Sequence, residues 1–241
     1  MSRPSTTRAE IAANAGRELV LTTVLIFTVV TIVRWLGGPG SPLAIGDPAV
    51  LFAVAGALVA ILITGLMLSP SGRRSGGHMH AGVSVFVWLN GGLPGAAVPA
   101  YIVAQLVGSV AGAALARLVW GSAVEQIGYA AVRHQPDLGA VGLVLAEAVP
   151  LLIIFLAVTV CLSRQVWMKY IPVVIGVGVG VTIALLAATS GASINPARQF
   201  GPALLSGQTA DLMTYLLVPV VVPTLVALAV RARRAALPSI A

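Results

Sequence analysis

Six long apolar runs divide the chain, at 18–36, 48–68, 97–120, 140–162, 170–189 and 211–231. Each is about the length a helix needs to cross a bilayer, roughly 20 residues. A backbone in lipid must satisfy its own hydrogen bonds, so all six are predicted to be helices. Two further apolar pieces, 83–89 and 199–205, are too short to span. Each follows a polar motif, SGGHMHAG at 75–82 and SGASINPA at 190–197. The pattern predicts an all-α membrane protein of six transmembrane helices plus two re-entrant half-helices. Short tails, 1–17 and 232–241, flank a single membrane domain over 18–231.

The chain matches itself at an offset of about 115 residues: Ser75-Gly76 pairs with Ser190-Gly191, and Tyr101 approximately with Tyr215. Glu18 opens the first run of repeat one (about 18–120), and Glu147 opens that of repeat two (about 140–231). Three spans is an odd number, so the second half must cross in the opposite sense to the first. Inverted repeats of this kind place their site near the midplane, between the halves.

Composition supports burial in lipid: 58% of residues are hydrophobic and 9% charged, against about 25% charged in soluble domains. The net charge of +7 does not imply nucleic acid. Arg3, Arg8, Arg17, Arg73, Arg74, Arg164, Lys169, Arg231, Arg233 and Arg234 fall on one side of a six-helix chain, and Arg34, Arg117 and Arg133 on the other. This positive-inside bias places both termini in the cytoplasm and the chain in the cell membrane. One lysine against thirteen arginines suggests a GC-rich bacterial genome. The first run is too long for a signal peptide and lacks a small-residue cleavage site. The single cysteine, Cys161, excludes an intrachain disulfide. No paired carboxylates or nucleophile–base spacing points to an enzyme, and no cofactor is implied.

In SINPARQFGP, Asn195 is a good N-cap and Pro196 suits the first helical position. The half-helix then points its free N–H groups and positive dipole end into the membrane centre. Arg198, just beyond Ala197, is a fixed cation at depth, where charge is expensive and functional. Such a cation repels protons and metal ions while donating hydrogen bonds to neutral solutes.

These residues resemble the aquaporins and aquaglyceroporins, the major intrinsic proteins. That family carries SG-x-x-NPA in each half and NPAR-x-FGP in the second. SGGH at 75–78, Glu18, Glu147, Gln105 and Pro219 also fall where the family has such residues. The resemblance covers about residues 15–231. It implies a right-handed helix bundle, a pore in each subunit, a homotetramer, and passive passage of water or small neutral solutes such as glycerol, urea or peroxide. It also implies a selectivity filter made of Arg198, Ala192, Ile183 and, counting back from the first motif without gaps, Ala60. Water-selective members have Phe and His at the two helix positions. Ala60 and Ile183 imply a wider, more apolar opening unless Phe52 or Trp88 refills it. Gln199, where glycerol channels have Asp, and the residues around Pro219 leave the substrate open.

The first motif departs from the family. His80-Ala81-Gly82 stands in place of Asn-Pro-Ala. Ala81 restores an N–H, and Gly82 weakens the helix start by about 0.5–1 kcal/mol relative to Ala. His80 is either a tolerated cap facing the pore or a titratable gate. A metal site from His78 and His80 lacks a third ligand, so no metal is expected. His78 otherwise matches an ordinary position on the cytoplasmic side of the pore. The altered motif also keeps two rival functions open, a closed structural membrane protein and an ion-conducting pore.

Overall fold

The computed structural model describes residues 7–236. In chain order the main helices are α1 (Arg8–Gly37), α2 (Pro48–Leu68), α3 (Ala81–Leu89), α4 (Ala97–Trp120), α5 (Gly139–Leu162), α6 (Ile171–Leu186), α7 (Pro196–Ser206) and α8 (Leu212–Ala236). Among the described residues, six helices are long and apolar enough to cross a membrane, and α3 and α7 are the short pair between them. A helix of 21 residues, such as α2, is about 31 Å long, which matches the hydrocarbon core. Six crossings return the chain to the side on which it starts.

Several boundaries move, each for a local reason. α1 begins at Arg8 rather than at 18, because Thr7 and Glu10 form a capping box. The Glu10 N–H donates to Thr7 Oγ1 (3.2 Å) and the Thr7 N–H to the Glu10 carboxylate (2.8 Å). Residues 8–17, expected as tail, are therefore helical. α8 likewise runs past 231 to Ala236. α6 ends at Leu186, before the expected 189, where the Ser190 N–H turns back onto the Leu186 carbonyl. The half-helices start earlier than their apolar pieces, at Ala81 and Pro196, because His80 and Asn195 cap them. Residues 1–6, with Arg3, and 237–241 lie outside the described residues.

Small residues set the closest helix approach. A side chain on Gly56 of α2 would meet the Gly180 carbonyl of α6, and one on Gly180 would meet the Gly56 carbonyl. This reciprocal contact holds α2 and α6 together near mid-span. Large apolar side chains such as Ile61, Leu118, Val141 and Leu185 point outward, as a bilayer environment requires. α3 packs on α8 and α4, and α7 on α4 and α8. The capped ends of the half-helices meet at the centre.

Candidate functional site

The two motif loops trace the same path. Gly76, Gly77 and Met79 have positive φ (98°, 58° and 48°), and so do Gly191, Ala192 and Ile194 (83°, 48° and 39°). The match runs position by position at the offset seen in the sequence. Such φ is uncommon outside glycine and an outlier for a β-branched residue. It aims two successive N–H groups at one point in each loop, a small anion-binding nest.

A buried glutamate fills each nest. Glu18 accepts from the His78 N–H (2.9 Å), the Met79 N–H (2.6 Å), Ser75 Oγ (2.7 Å) and Gln105 Nε2 (3.0 Å). Glu147 accepts from the Ser193 N–H (3.1 Å), the Ile194 N–H (2.6 Å) and Ser190 Oγ (3.3 Å). Tyr101 donates to the Ser75 carbonyl (2.8 Å), and Tyr215 to the Ser190 carbonyl (2.7 Å). The paired tyrosines of the sequence thus do the same task in each half. Both glutamates are fully buried and support the loops without lining the cavity.

The loops then bind each other. Asn195 Nδ2 donates to the Met79 carbonyl (3.0 Å), and His80 Nε2 lies 2.8 Å from the Ile194 carbonyl. The other atom of each side chain caps its own half-helix. Asn195 Oδ1 accepts from the Ala197 N–H (2.9 Å), and His80 Nδ1 from the Gly82 N–H (2.9 Å). Ala81, Pro196 and Ala197 are buried and do not line the cavity. Gly82 does more than weaken a helix start: a side chain there would strike the Pro219 carbonyl of α8. Pro223, one turn on, has no N–H to bond that carbonyl.

A cavity of about 300 Å³ runs beside these loops, from the far ends of α1 and α2 (Leu36, Leu51) to Met67 and His78 near the termini's side. One wall is apolar, with Val29, Val59, Ile63 and Val179. The other is the polar stripe of His78, His80, Asn195 and Arg198. His78 also bonds Ser84 Oγ through Nδ1 (3.0 Å). Arg198 forms no salt bridge among the described residues, and its Nη1 donates to the Ala130 carbonyl (2.6 Å). Among the described residues no cluster of three metal-ligating side chains occurs.

Of the expected filter, Arg198, Ala192 and Ile183 line the cavity, and Ala60 does not. Ala60 sits on the α2 face turned to α6, where its carbonyl lies beside Gly176. Between α2 and the first motif the chain makes a short helical turn, Pro70–Ser75. On α2 it is Ala55 that lines the cavity, beside Gly56 and at the level of the Gly180 contact. Phe52 lines the cavity one turn further out, whereas Trp88 is 43% exposed and outside the lining.

One wall carries little signal in the sequence. The loop after α4 reaches in, and Ile127, Ala130, Ala131, Val132 and Arg133 line the cavity. Gln199 holds it: its Oε1 accepts from the Val132 N–H (2.9 Å) and its Nε2 donates to the Val132 carbonyl (3.1 Å). Tyr129 and Ala130 both have positive φ (55° and 59°), which turns the Ala130 carbonyl toward Arg198. Gly128 is the only conventional turn signal in that stretch.

Comparison with known proteins agrees with this architecture. The model of the family described as major intrinsic protein matches residues 5–230. A probable aquaporin AqpM of Archaeoglobus fulgidus is 34% identical over 171 residues, 70% of this chain and 65% of that protein. Aquaporin TIP4-4 of Zea mays is 32% identical over 212 residues, 85% of this chain and 79% of that one. The crystal structure of the aquaglyceroporin from Plasmodium falciparum shares the fold, with a TM-score of 0.69, 20% identity, and coverage of 90% of this chain and 94% of that chain. Matched over nearly its whole length, with paired half-helices meeting beside a membrane-deep cavity, the chain belongs to the major intrinsic protein family of multi-pass membrane channels for water or small solutes.

Proposed function

We propose that the cavity is a passive pore for water and for uncharged solutes larger than water, such as glycerol, urea or peroxide, with Arg198 as its barrier to cations. One observation carries this reading: of the residues that line the cavity with Arg198, Ala55, Ile183 and Ala192 bring no polar side chain and little bulk, and Phe52 is the aromatic member of that wall. A solute there can donate to loop carbonyls, accept from Arg198, and lay its carbon frame on an apolar wall. The protein acts as a channel and not as an enzyme. It sits in the cell membrane with both termini in the cytoplasm, the side that gathers the basic residues, and works as a homotetramer with one pore per subunit.

Stopped-flow swelling of proteoliposomes with water, glycerol, urea and peroxide tests the reading. The wild type passes all four, and Ala55→Phe with Ile183→His cuts glycerol and urea flux more than water flux. Vesicles that pass water and exclude every larger solute would overturn the wide filter. A protein that passes nothing would support the closed, structural alternative, and a conductance in planar bilayers the ion-pore alternative.

A further inference from the structure

The two caps at the centre of the cavity do not offer the same hydrogen bonds. Asn195 carries a primary amide with two N–H donors. One goes to the Met79 carbonyl at 3.0 Å. The other has no protein acceptor among the described residues, and Asn195 lines the cavity. His80 faces two backbone donors through Nδ1, the Gly82 N–H at 2.9 Å and the Val83 N–H at 3.4 Å. That nitrogen must therefore present a lone pair. Nε2 faces the Ile194 carbonyl at 2.8 Å, so it must carry the proton. A neutral imidazole has one N–H, and here it is used between the loops. Ala81 has an N–H where Pro196 has none, but it is buried outside the cavity lining.

We propose that the centre of this pore is a one-donor site, in which Asn195 alone reaches the solute and His80 presents only the carbon edge of its ring. This rests on the cavity being the solute path. It makes His80 a specificity-determining residue. A water molecule entering the site sheds neighbours and recovers one side-chain hydrogen bond, where two amides would return two. A solute with a carbon frame is penalised less. It gives one oxygen to Asn195 and lays carbon against the His80 ring and the apolar Val179 on the cavity wall. Phe155 packs edge-on against the His80 ring, with centroids 6.4 Å apart, and helps hold it in place.

His80→Asn adds the missing donor. Asn195 shows that an amide in this setting can cap its half-helix and reach the opposite loop while keeping one N–H free. With one more hydrogen bond to the solute, worth a modest net amount, water permeability in proteoliposomes rises roughly fivefold and the water-to-urea ratio rises with it. An unchanged or lower ratio overturns the proposal. Asn195→His is the converse variant: it removes the last donor, and the water-to-urea ratio falls below wild type. Should neither variant fold, ¹⁵N NMR of the wild-type His80 ring decides. Protonation at Nε2 with a bare Nδ1 supports the one-donor site, and a proton on Nδ1 overturns it. A wild type that passes no solute refutes the channel reading instead, and the ring ¹⁵N shifts still report the donor count.

Discussion

Glu147 holds the second loop, and its removal has a cost that can be worked from its three bonds. The Ser193 and Ile194 N–H groups both point at its carboxylate, at 3.1 and 2.6 Å. Both residues are buried. An unpaired buried donor costs about 1–3 kcal/mol, so Glu147→Ala loses about 2–6 kcal/mol from these two alone. Glu147→Gln keeps the shape and one acceptor oxygen. Its amide nitrogen then faces one of the two N–H groups, and about 1–3 kcal/mol is lost. For a chain of this size each kcal/mol moves the melting midpoint by about 2–4 °C. The Gln variant therefore melts about 2–12 °C lower, and the Ala variant lower still. A functional effect follows from the same bond. Ile194 sits at φ 39°, a strain of about 1–3 kcal/mol that persists only while its surroundings impose it. Released, the loop relaxes and carries Asn195 and Ala192 out of the cavity wall, so solute flux falls even where the protein still folds. Thermal unfolding in detergent, followed by tryptophan fluorescence and paired with liposome swelling, measures both. An Ala variant with unchanged midpoint and unchanged flux would refute the account.

Three further outcomes follow. Arg198→Val removes the cation from the cavity while leaving the half-helix cap in place, so folding is kept and proton leak across proteoliposomes rises; an unaltered leak rate counts against its role as barrier. Gly201→Ala drives a methyl into the Ser109 backbone, where the Gly201 N–H already donates to Ser109 Oγ at 2.8 Å; overpacking of this kind costs about 1–3 kcal/mol, read as a lower melting midpoint than wild type. His134, in the loop that supplies the Ala130 carbonyl, bonds the Gln135 carbonyl (2.7 Å) and Asp211 (3.0 Å), and these contacts, the backbone one first, raise its pKa above 6.5. A raised histidine pKa stabilises the folded loop below the unfolded value, and the gain is lost as pH climbs through the folded value. The loop therefore becomes more open to proteolysis from pH 6 to pH 8, and His134→Gln flattens that change.

The sequence was most legible where one physical requirement dominates. Six apolar runs of about 20 residues had to be helices, since a run of that length satisfies its backbone in lipid only as a helix, and the paired Ser-Gly motifs and tyrosines revealed the internal symmetry. Boundaries were less legible, because capping by Thr7, His80 and Asn195 extends helices beyond their apolar residues. Ala60 turns to α6 and not to the cavity, because a count along the chain does not reveal which face of a helix a residue takes. Phe52, named from the sequence as a residue able to refill the filter, lines the cavity together with Ala55. Two features had no sequence signal. Met79 and Ile194 occupy left-handed backbone without being Gly or Asn, and only the buried glutamates explain how. The loop over 127–133 joins the cavity through Gln199 and Arg198, contacts that span about 67 residues of sequence.

Position 80 shows how a motif can change while its fold is kept. The cap at each half-helix has two structural tasks. It must accept from the first free N–H groups of its own helix, and it must donate to the carbonyl of the opposite loop. An amide and an imidazole each have one acceptor and one donor at suitable separation, so both satisfy these tasks, as His80 and Asn195 do in one molecule. The third task, a second donor turned to the solute, belongs to the amide alone. The fold constrains position 80 to any side chain that bridges the helix end and the opposite loop. Transport constrains it further, and that second constraint is the one this chain has set aside in its first half and kept, with Asn195 and Arg198, in its second.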